Sequence, residues 1–383
     1  MDIPGQEKLK AEQVEEVKRI KSLFKNETRF KFEKIIGAGA RGFALEMRVI
    51  DQSGPSLIKK QMARFVMKRA TSKVHEQTVK REIEILQRLR GAQNIQQLYR
   101  LPDDEGDLKA TYLQGPTLFT EWIPNGIIRE LLEGRDDWSH PLPNRMLWRF
   151  FLCFCNMLVA MAWPPEGKED APSAKRELPP QDPSGDRPSK STLRHNDLNI
   201  ENVMFGDFNS ITHEHVPMLK LIDFGQASES SDSFTYTPEQ AVKENMFRIA
   251  GVMLNLVGGA IDMTNAGMMN MDVTVKGEKK TIRSRARDLD GLNPKWKAPG
   301  RLINRHTGWM NNLDTDLRDL LVRCLAANAT MRPDLEELFE DVQRNVTRKT
   351  QSSYIGKRWH NNESDSELLR ISKELIIDRG AKT

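Results

Sequence analysis

The sequence is poor in cysteine, with three residues among 383: Cys153, Cys155 and Cys324. An odd number of cysteines, all within apolar stretches of helical spacing, does not provide the framework of a disulfide-stapled secreted domain. The three side chains are therefore predicted to be buried, reduced thiols.

The sequence also lacks a long uninterrupted apolar run and an excess of one charge. Its longest apolar stretch, residues 150–163, contains Asn156 and is too short to cross a bilayer. The first five residues have no apolar core of a signal peptide. The 58 lysines and arginines nearly balance the 54 aspartates and glutamates, and the net charge of +4 does not indicate a dedicated nucleic-acid-binding protein. We expect a soluble protein of the cytoplasm or nucleus, with neither a membrane nor a nucleic acid as partner.

What the sequence contains is a change from strand periodicity to helical periodicity near residue 124. A charged extension, residues 1–29, has apolar residues at helical spacing and is predicted to include a short amphipathic helix. Residues 30–123 then alternate as strands do, apart from one segment of helical period. The strands are predicted at 30–36, 43–50, 64–69 and 118–123, and the helix at 74–90.

Helices dominate residues 124–345. Segment 144–163 is apolar on nearly all sides, so it is predicted to be the central helix of a helical lobe. Residues 164–191 hold seven prolines and many charges, which predicts a solvent-exposed insertion. The remaining predictions are short strands at 203–205 and 219–222, an apolar helix at 246–261, an irregular polar stretch at 263–312, helices within 315–345, and a polar tail, 346–383, with a helix at 364–378.

Three glycines, Gly37, Gly39 and Gly42, lie between the first two predicted strands. Without a Cβ atom, such a turn lets backbone N–H groups approach phosphate oxygens closely. The spacing alone is a weak signal, and an ordinary hairpin turn is the simpler explanation. A dinucleotide-binding site is disfavoured because a strand, not a helix, follows Gly42.

Lys68, at the end of the third strand, is predicted to pair with Glu82 of the following helix. At about 100° per residue, Glu82 falls inside the apolar arc of that helix, whereas Glu84 points away. A carboxylate on a core-facing stripe needs a cationic partner, because an unpaired buried charge is costly. Glu76 lies at the edge of the stripe and is the second choice.

Two further strings carry the side chains that phosphoryl transfer requires. One is His195-Asn196-Asp197-Leu198-Asn199-Ile200-Glu201-Asn202, and the other is Asp223-Phe224-Gly225, which follows 21 residues after Asn202. Phosphoryl transfer asks a protein mainly to position ATP, magnesium and a hydroxyl group. Asp197, Asn202 and Asp223 are the residue types that do so.

In these motifs residues 30–345 resemble the eukaryotic protein kinase domain, and more narrowly kinase-domain proteins of filamentous fungi. The resemblance implies an α+β, two-lobed fold. The N-lobe, residues 30–123, is then a small antiparallel sheet with one main helix, and the C-lobe, residues 124–345, is larger and mainly helical. ATP and Mg²⁺ are the implied cofactors, and an unidentified protein is the implied substrate.

The resemblance also implies roles for the site residues. Gly37, Gly39 and Gly42 match the glycine-rich loop, and Lys68 and Glu82 match the lysine–glutamate pair. Thr120, Glu121 and Ile123 match the gatekeeper and hinge that bind adenine. Asp197 matches the catalytic aspartate, and Asn202 and Asp223 match the magnesium ligands. Glu239, in Thr237-Pro238-Glu239, is expected to pair with Arg332.

Three positions depart from the kinase pattern. Asn196 stands where an arginine usually binds an activation-loop phosphate, so phosphate-dependent activation is not expected. Asn199 replaces a lysine that stabilises the transferring phosphoryl group, which predicts slow turnover. Ile127 stands where an acidic ribose ligand is common.

The resulting hypothesis is an ATP- and magnesium-dependent protein kinase that acts on serine or threonine. Two alternatives stay open. One is a pseudokinase that binds nucleotide and acts as a scaffold. The other is a small-molecule kinase of the choline or aminoglycoside kind, in which His-Asn-Asp strings also occur.

Overall fold

A small antiparallel sheet precedes a mainly helical region in the computed structural model. The structure describes residues 11–25, 30–39, 42–49, 64–99, 115–133, 141–166, 178–180, 188–209, 212–230, 235–258, 267–290 and 312–378. The first elements are α1 (Ala11–Phe24), β1 (Phe30–Ala38), β2 (Gly42–Val49), β3 (Arg64–Ala70), α2 (Glu76–Arg88) and β4 (Thr117–Glu121). The predicted helix of the N-terminal extension and the predicted strands and helix of residues 30–123 are confirmed, with small shifts at their ends.

The four strands form one antiparallel sheet in the order β1-β2-β3-β4. One face of the sheet packs against α1, and Met67 of β3 is buried in that contact. Because neighbouring residues of a strand point to opposite faces, the next residue, Lys68, points away from α1. The sheet thus separates a hydrophobic contact with the extension from the face that carries Lys68.

The helical region is built around one buried helix. Its elements are α3 (Ile128–Glu133), α4 (Asn144–Ala162), β5 (Val203–Phe205), β6 (Leu219–Leu221), α5 (Pro238–Leu256), β7 (Met269–Val275), β8 (Glu278–Ser284), α6 (Thr315–Cys324), α7 (Leu335–Arg348) and α8 (Asp365–Ser372). Among the described residues α4 is the only helix long and apolar enough to span a membrane, and 89% of that stretch is buried inside the protein. The prediction of a central core helix is confirmed, and the three cysteines are buried and form no disulfide among the described residues. The fold is α+β and compatible with two lobes.

The prediction that residues 263–312 are irregular is wrong for residues 269–284. Strands β7 and β8 form a hairpin whose turn, Lys276-Gly277, has positive φ at both residues, as a two-residue hairpin turn requires. Only Met271, Val273 and Ile282 are buried hydrophobic residues of the hairpin, and polar residues on the other face outnumber them. Helix α5 also begins earlier than expected. Thr237 is its N-cap and forms a capping box with Gln240 of the first turn, and Pro238 is the first helical residue.

The C-terminal tail is packed onto the helical region. The helix expected at 364–378 is present as α8 and continues as a wider turn over Lys373–Ile377. Glu363 accepts hydrogen bonds from the backbone N–H groups of Asn144 (2.7 Å) and Arg145 (2.9 Å), so it caps the first turn of α4. The hydroxyl of Tyr354 donates to Asp314 at 2.9 Å. The tail therefore anchors both α4 and the start of α6.

We expect the substitution Tyr354→Phe to lower the free energy of unfolding by about 1–3 kcal/mol, because Asp314 is buried and loses a hydrogen-bond donor. Tyr99→Phe is the matched control, since the buried hydroxyl of Tyr99 has no hydrogen-bond partner among the described residues. That control removes no hydrogen bond, so it is expected not to lower stability. Urea unfolding of the two variants measures the difference, and equal effects would contradict the anchoring role of Tyr354.

Candidate functional site

Lys68 lies between two carboxylates that come from distant parts of the chain. Its Nζ atom is 2.8 Å from Oε2 of Glu82 and 2.6 Å from Oδ1 of Asp223. The predicted pair of Lys68 with Glu82 is confirmed, and Glu76 takes no part in it. Strand β3, helix α2 and the segment after β6 therefore meet at one cation.

Burial and charge compete at this cluster. Burial raises the pKa of Glu82, and the charge of Lys68 opposes that rise. Burial also acts to raise the pKa of Asp223, but the charge and hydrogen bond of Lys68 outweigh it, so that pKa is lowered. The pKa of Lys68 is raised, because the two carboxylates overcome the effect of its burial. The side chains are 1% exposed for Glu82, 25% for Lys68 and 41% for Asp223, so the cluster opens to solvent at Asp223.

The β5–β6 hairpin brings Asn202 beside the Asp223 strand end. Val203 pairs with Leu221, and the N–H of Ile222 donates to the carbonyl of Asn202 at 3.0 Å. The two predicted metal ligands thus stand at adjacent ends of two paired strands. Lys68, Asn202 and Asp223 belong to one site and do not line separate surfaces.

Two side-chain amides hold Asp197. Asn202 Nδ2 donates to its Oδ2 at 3.1 Å and to its backbone carbonyl at 2.7 Å. Asn199 Nδ2 donates to its Oδ1 at 3.0 Å. The sequence identified Asn199 only by the lysine it replaces, whereas its amide fixes the orientation of the Asp197 carboxylate.

His195 is a further site residue, to which the sequence analysis gave no role. It is fully buried, and burial lowers its pKa. Its Nδ1 accepts a hydrogen bond from the N–H of Asp197 (3.3 Å), which leaves Nε2–H to donate to the carbonyl of Ile222 (3.0 Å). Its place two residues before Asp197 was the available signal. The neutral ring joins the Asp197 loop to the strand that leads to Asp223.

The residues expected to form the gatekeeper and hinge lie at the end of β4: Thr120 and Glu121 are its last two residues, and Ile123 follows it. Thr120 is buried, and the carboxylate of Glu121 accepts from the N–H of Gln97 at 2.8 Å and pairs with Lys220 of β6. The Glu121 side chain therefore ties the sheet to the helical region. The backbone N–H of Ile123 makes no hydrogen bond to another described residue.

The three glycines of the β1–β2 turn differ in what they require. A Cβ atom on Gly42 would lie 2.7 Å from the carbonyl oxygen of Arg69, so only glycine fits there. Gly37 and Gly39 have no such close neighbour. The carbonyl of Gly39 accepts from Gln13 Nε2 of α1 at 3.0 Å, and Gln13 is buried. The extension thus holds the turn, a contact for which the sequence gave no signal.

The oxygen atoms at the centre suit a hard cation. No group of three or more histidine, cysteine, aspartate or glutamate side chains in the described ranges is placed to hold a metal ion. One carboxylate and one amide nevertheless stand at neighbouring strand ends. Asp223 Oδ2 and Asn202 Oδ1 make no hydrogen bond within the described part of the chain. Magnesium typically takes one or two protein oxygens and completes its shell with phosphate oxygens and water. The donor set fits magnesium.

Hydrogen bonds from neutral groups hold the segment after Asp223. Asn196, at φ 62°, donates from Nδ2 to the carbonyl of Gln226 (3.0 Å) and to the hydroxyl of Ser228 (2.8 Å). Arg194 and Ser228 exchange two backbone hydrogen bonds of 2.9 Å. The position of the expected arginine is thus occupied by an amide that binds the segment directly.

The expected pair of Glu239 with Arg332 is wrong. Glu239 instead pairs with Lys190 at 3.3 Å and with Lys243 at 3.2 Å. Lys243 is one turn further along α5, so it is the nearer cation. Arg332 donates to the carbonyls of Lys243 and Ala326 and stacks on the ring of Phe247.

No model of a known protein family matches this sequence, and no curated protein matches it. The functional argument therefore rests on the geometry of the site.

We expect Lys68→Met to lower the free energy of unfolding at pH 8 by about 3–5 kcal/mol, because it leaves the buried Glu82 carboxylate without its cation. Lowering the pH should recover part of this loss. The pKa of an unperturbed glutamate is about 4.3. If the folded pKa is higher, the buried charge lowers stability fully at pH values above the folded pKa. That cost is lost as the pH falls from the folded pKa towards the unfolded value. Urea unfolding at pH 8 and pH 5.5, with wild type at both pH values, measures the effect.

Lys80→Met is the matched control for this substitution. Lys80 is exposed on the same helix and has no ion pair among the described residues. Its replacement is expected to change stability by less than about 0.5 kcal/mol at either pH. A Lys68→Met variant with no greater loss than Lys80→Met, or with no recovery at low pH, would contradict the stated electrostatics.

Proposed function

We propose that this protein is an ATP- and magnesium-dependent phosphotransferase with a two-lobed, protein kinase-like fold, and that it transfers the γ-phosphoryl group to serine or threonine hydroxyls of a protein. The observation that carries the proposal is the meeting of Lys68, Glu82 and Asp223 at one point. Lys68 and Asp223 are 155 positions apart in the chain, yet their charged atoms are 2.6 Å apart.

Each side chain of the site has a task in this proposal. Bound ATP–Mg²⁺ supplies the phosphoryl group and charge neutralisation. Asn202 and Asp223 offer the oxygen ligands, and Lys68, held by Glu82, is available to the phosphates. Asp197 orients the acceptor hydroxyl and accepts its proton. Such a site accelerates transfer mainly by positioning and electrostatics.

An amide at position 199, where a cation would stabilise the transition state, predicts a slow reaction. A lysine at this position would place a positive charge beside the transferring group, whereas Asn199 supplies a neutral hydrogen bond to Asp197. Loss of one electrostatic stabiliser of a transition state typically costs about 10²–10³ in rate. We infer that Asn199 exchanges transition-state stabilisation for a fixed orientation of Asp197.

A nucleotide-binding scaffold with little or no activity is the second candidate. It is favoured by the same Asn199 contact and by the separation of Glu239 from Arg332, a pair expected to fix the platform for a peptide substrate. Under this proposal ATP–Mg²⁺ stabilises the protein without turnover.

We expect purified wild type to transfer label from γ-labelled ATP to itself or to a generic protein substrate, and Asp197→Ala to abolish transfer. Thermal stabilisation by ATP–Mg²⁺ should persist in Asp197→Ala, because Asp197 is placed to act on the hydroxyl. Asp207→Ala is the matched control and should behave as wild type, since Asp207 is exposed and its one hydrogen bond to another described residue is made by its backbone carbonyl.

The outcomes separate the candidates. Stabilisation without transfer by wild type, to proteins or to a panel of amino alcohols and sugars, favours the scaffold. Transfer to a member of that panel and to no protein favours a small-molecule kinase. Absence of both stabilisation and transfer removes the nucleotide site altogether.

A further inference from the structure

Arg88 lies in the last turn of α2, the helix that carries Glu82. Its guanidinium group grips Glu166 with three hydrogen bonds: Nε to Oε1 at 3.2 Å, Nε to Oε2 at 3.1 Å and Nη2 to Oε1 at 2.8 Å. Its Nη1 atom donates to Glu229. Planar arginine–carboxylate contacts of this kind fix direction as well as distance.

The two carboxylates belong to different parts of the helical region. Glu166 follows α4, at the start of the insertion, and adopts a positive φ of 58°. Glu229 lies six residues after Asp223, in the segment that Asn196 fastens. It also accepts a hydrogen bond from the hydroxyl of Ser191 at 2.8 Å. Arg88 thus joins α2 to two segments of the helical region, the one that follows α4 and the one that follows Asp223.

We propose that Arg88 is a positioning residue, which couples the helix carrying Glu82 to the segment that follows Asp223. The inference rests on the proposed phosphotransferase function. Glu82 and Arg88 are six residues apart, about 9 Å along the helix, so fixing the arginine fixes where the glutamate meets Lys68. The chain supplies both carboxylates itself, and this coupling needs no added phosphate.

The contacts of Arg88 with Glu166 and Glu229 act locally. The side chains of Arg88, Glu166 and Glu229 are 34%, 45% and 32% exposed. Ion pairs this exposed contribute little to global stability. Breaking them should therefore free the end of α2 without unfolding the protein.

The test compares charge reversals by hydrogen exchange. Arg88→Glu places three carboxylates together and is expected to speed amide exchange in α2 by roughly tenfold while the melting temperature changes by about 2 °C or less. Arg88→Glu/Glu229→Arg keeps one cation and two carboxylates and is expected to restore slow exchange. Arg90→Glu is the matched control, because Arg90 lies two residues away and has no ion pair among the described residues.

The same variants are assayed for phosphoryl transfer at varied ATP. Arg88→Glu should raise the KM for ATP at least severalfold, and the double variant should reverse the change. Equal behaviour of Arg88→Glu and Arg90→Glu, or failure of the charge swap to restore exchange, overturns the proposal even if wild type is active. If the variants show the expected hydrogen exchange but wild type neither binds nor uses ATP, the coupling by Arg88 stands and the proposed function is removed instead.

Discussion

A lysine held between two carboxylates is the constraint on which the rest of the site depends. Glu82 is almost fully buried, and a buried carboxylate is stable only beside a cation. That cation, Lys68, also reaches Asp223, so β3, α2 and the end of β6 must stay within a few ångströms of one point. Buried ion pairs add little net stability compared with apolar packing. Their presence here is better explained by a need to hold charges in fixed positions.

Neutral polar groups carry this arrangement into the core. Asn156, the polar interruption of the apolar helix α4, donates to Asn94 Oδ1 at 2.9 Å. Asn94 in turn donates to the carbonyl of Leu219 at 2.7 Å and accepts at its own carbonyl from Leu221. The central helix therefore holds both the turn after α2 and the strand before Asp223. Buried polar networks of this kind specify one geometry, because each unpaired member would cost free energy.

The parts of the fold that were predictable from sequence are those with a strong local period. The arc of α2 identified Glu82 because helical spacing fixes which side chains share a face. The β7–β8 hairpin was missed since its buried stripe has few members. The Glu239 partner was also missed, because a pattern carried over from a family does not register a nearer cation such as Lys243.

The polar contacts of Asn196 and Asn199 could not be predicted from the sequence either. They change the interpretation of these two departures from the kinase pattern. Each was identified by the positive charge it removes. In the structure each supplies an amide that can donate in a fixed direction, one to the segment after Asp223 and one to Asp197. Among the described residues Lys68 is the one cation within ion-pairing distance of Glu82 or Asp223, and Asp197 has none. Under the proposed function, a site with three carboxylates and one such cation would rely on a divalent ion for charge balance more than a site with an added arginine and lysine would. Under that proposal the two asparagines would shift the work of the site from fixed charges to hydrogen-bonded geometry and bound metal.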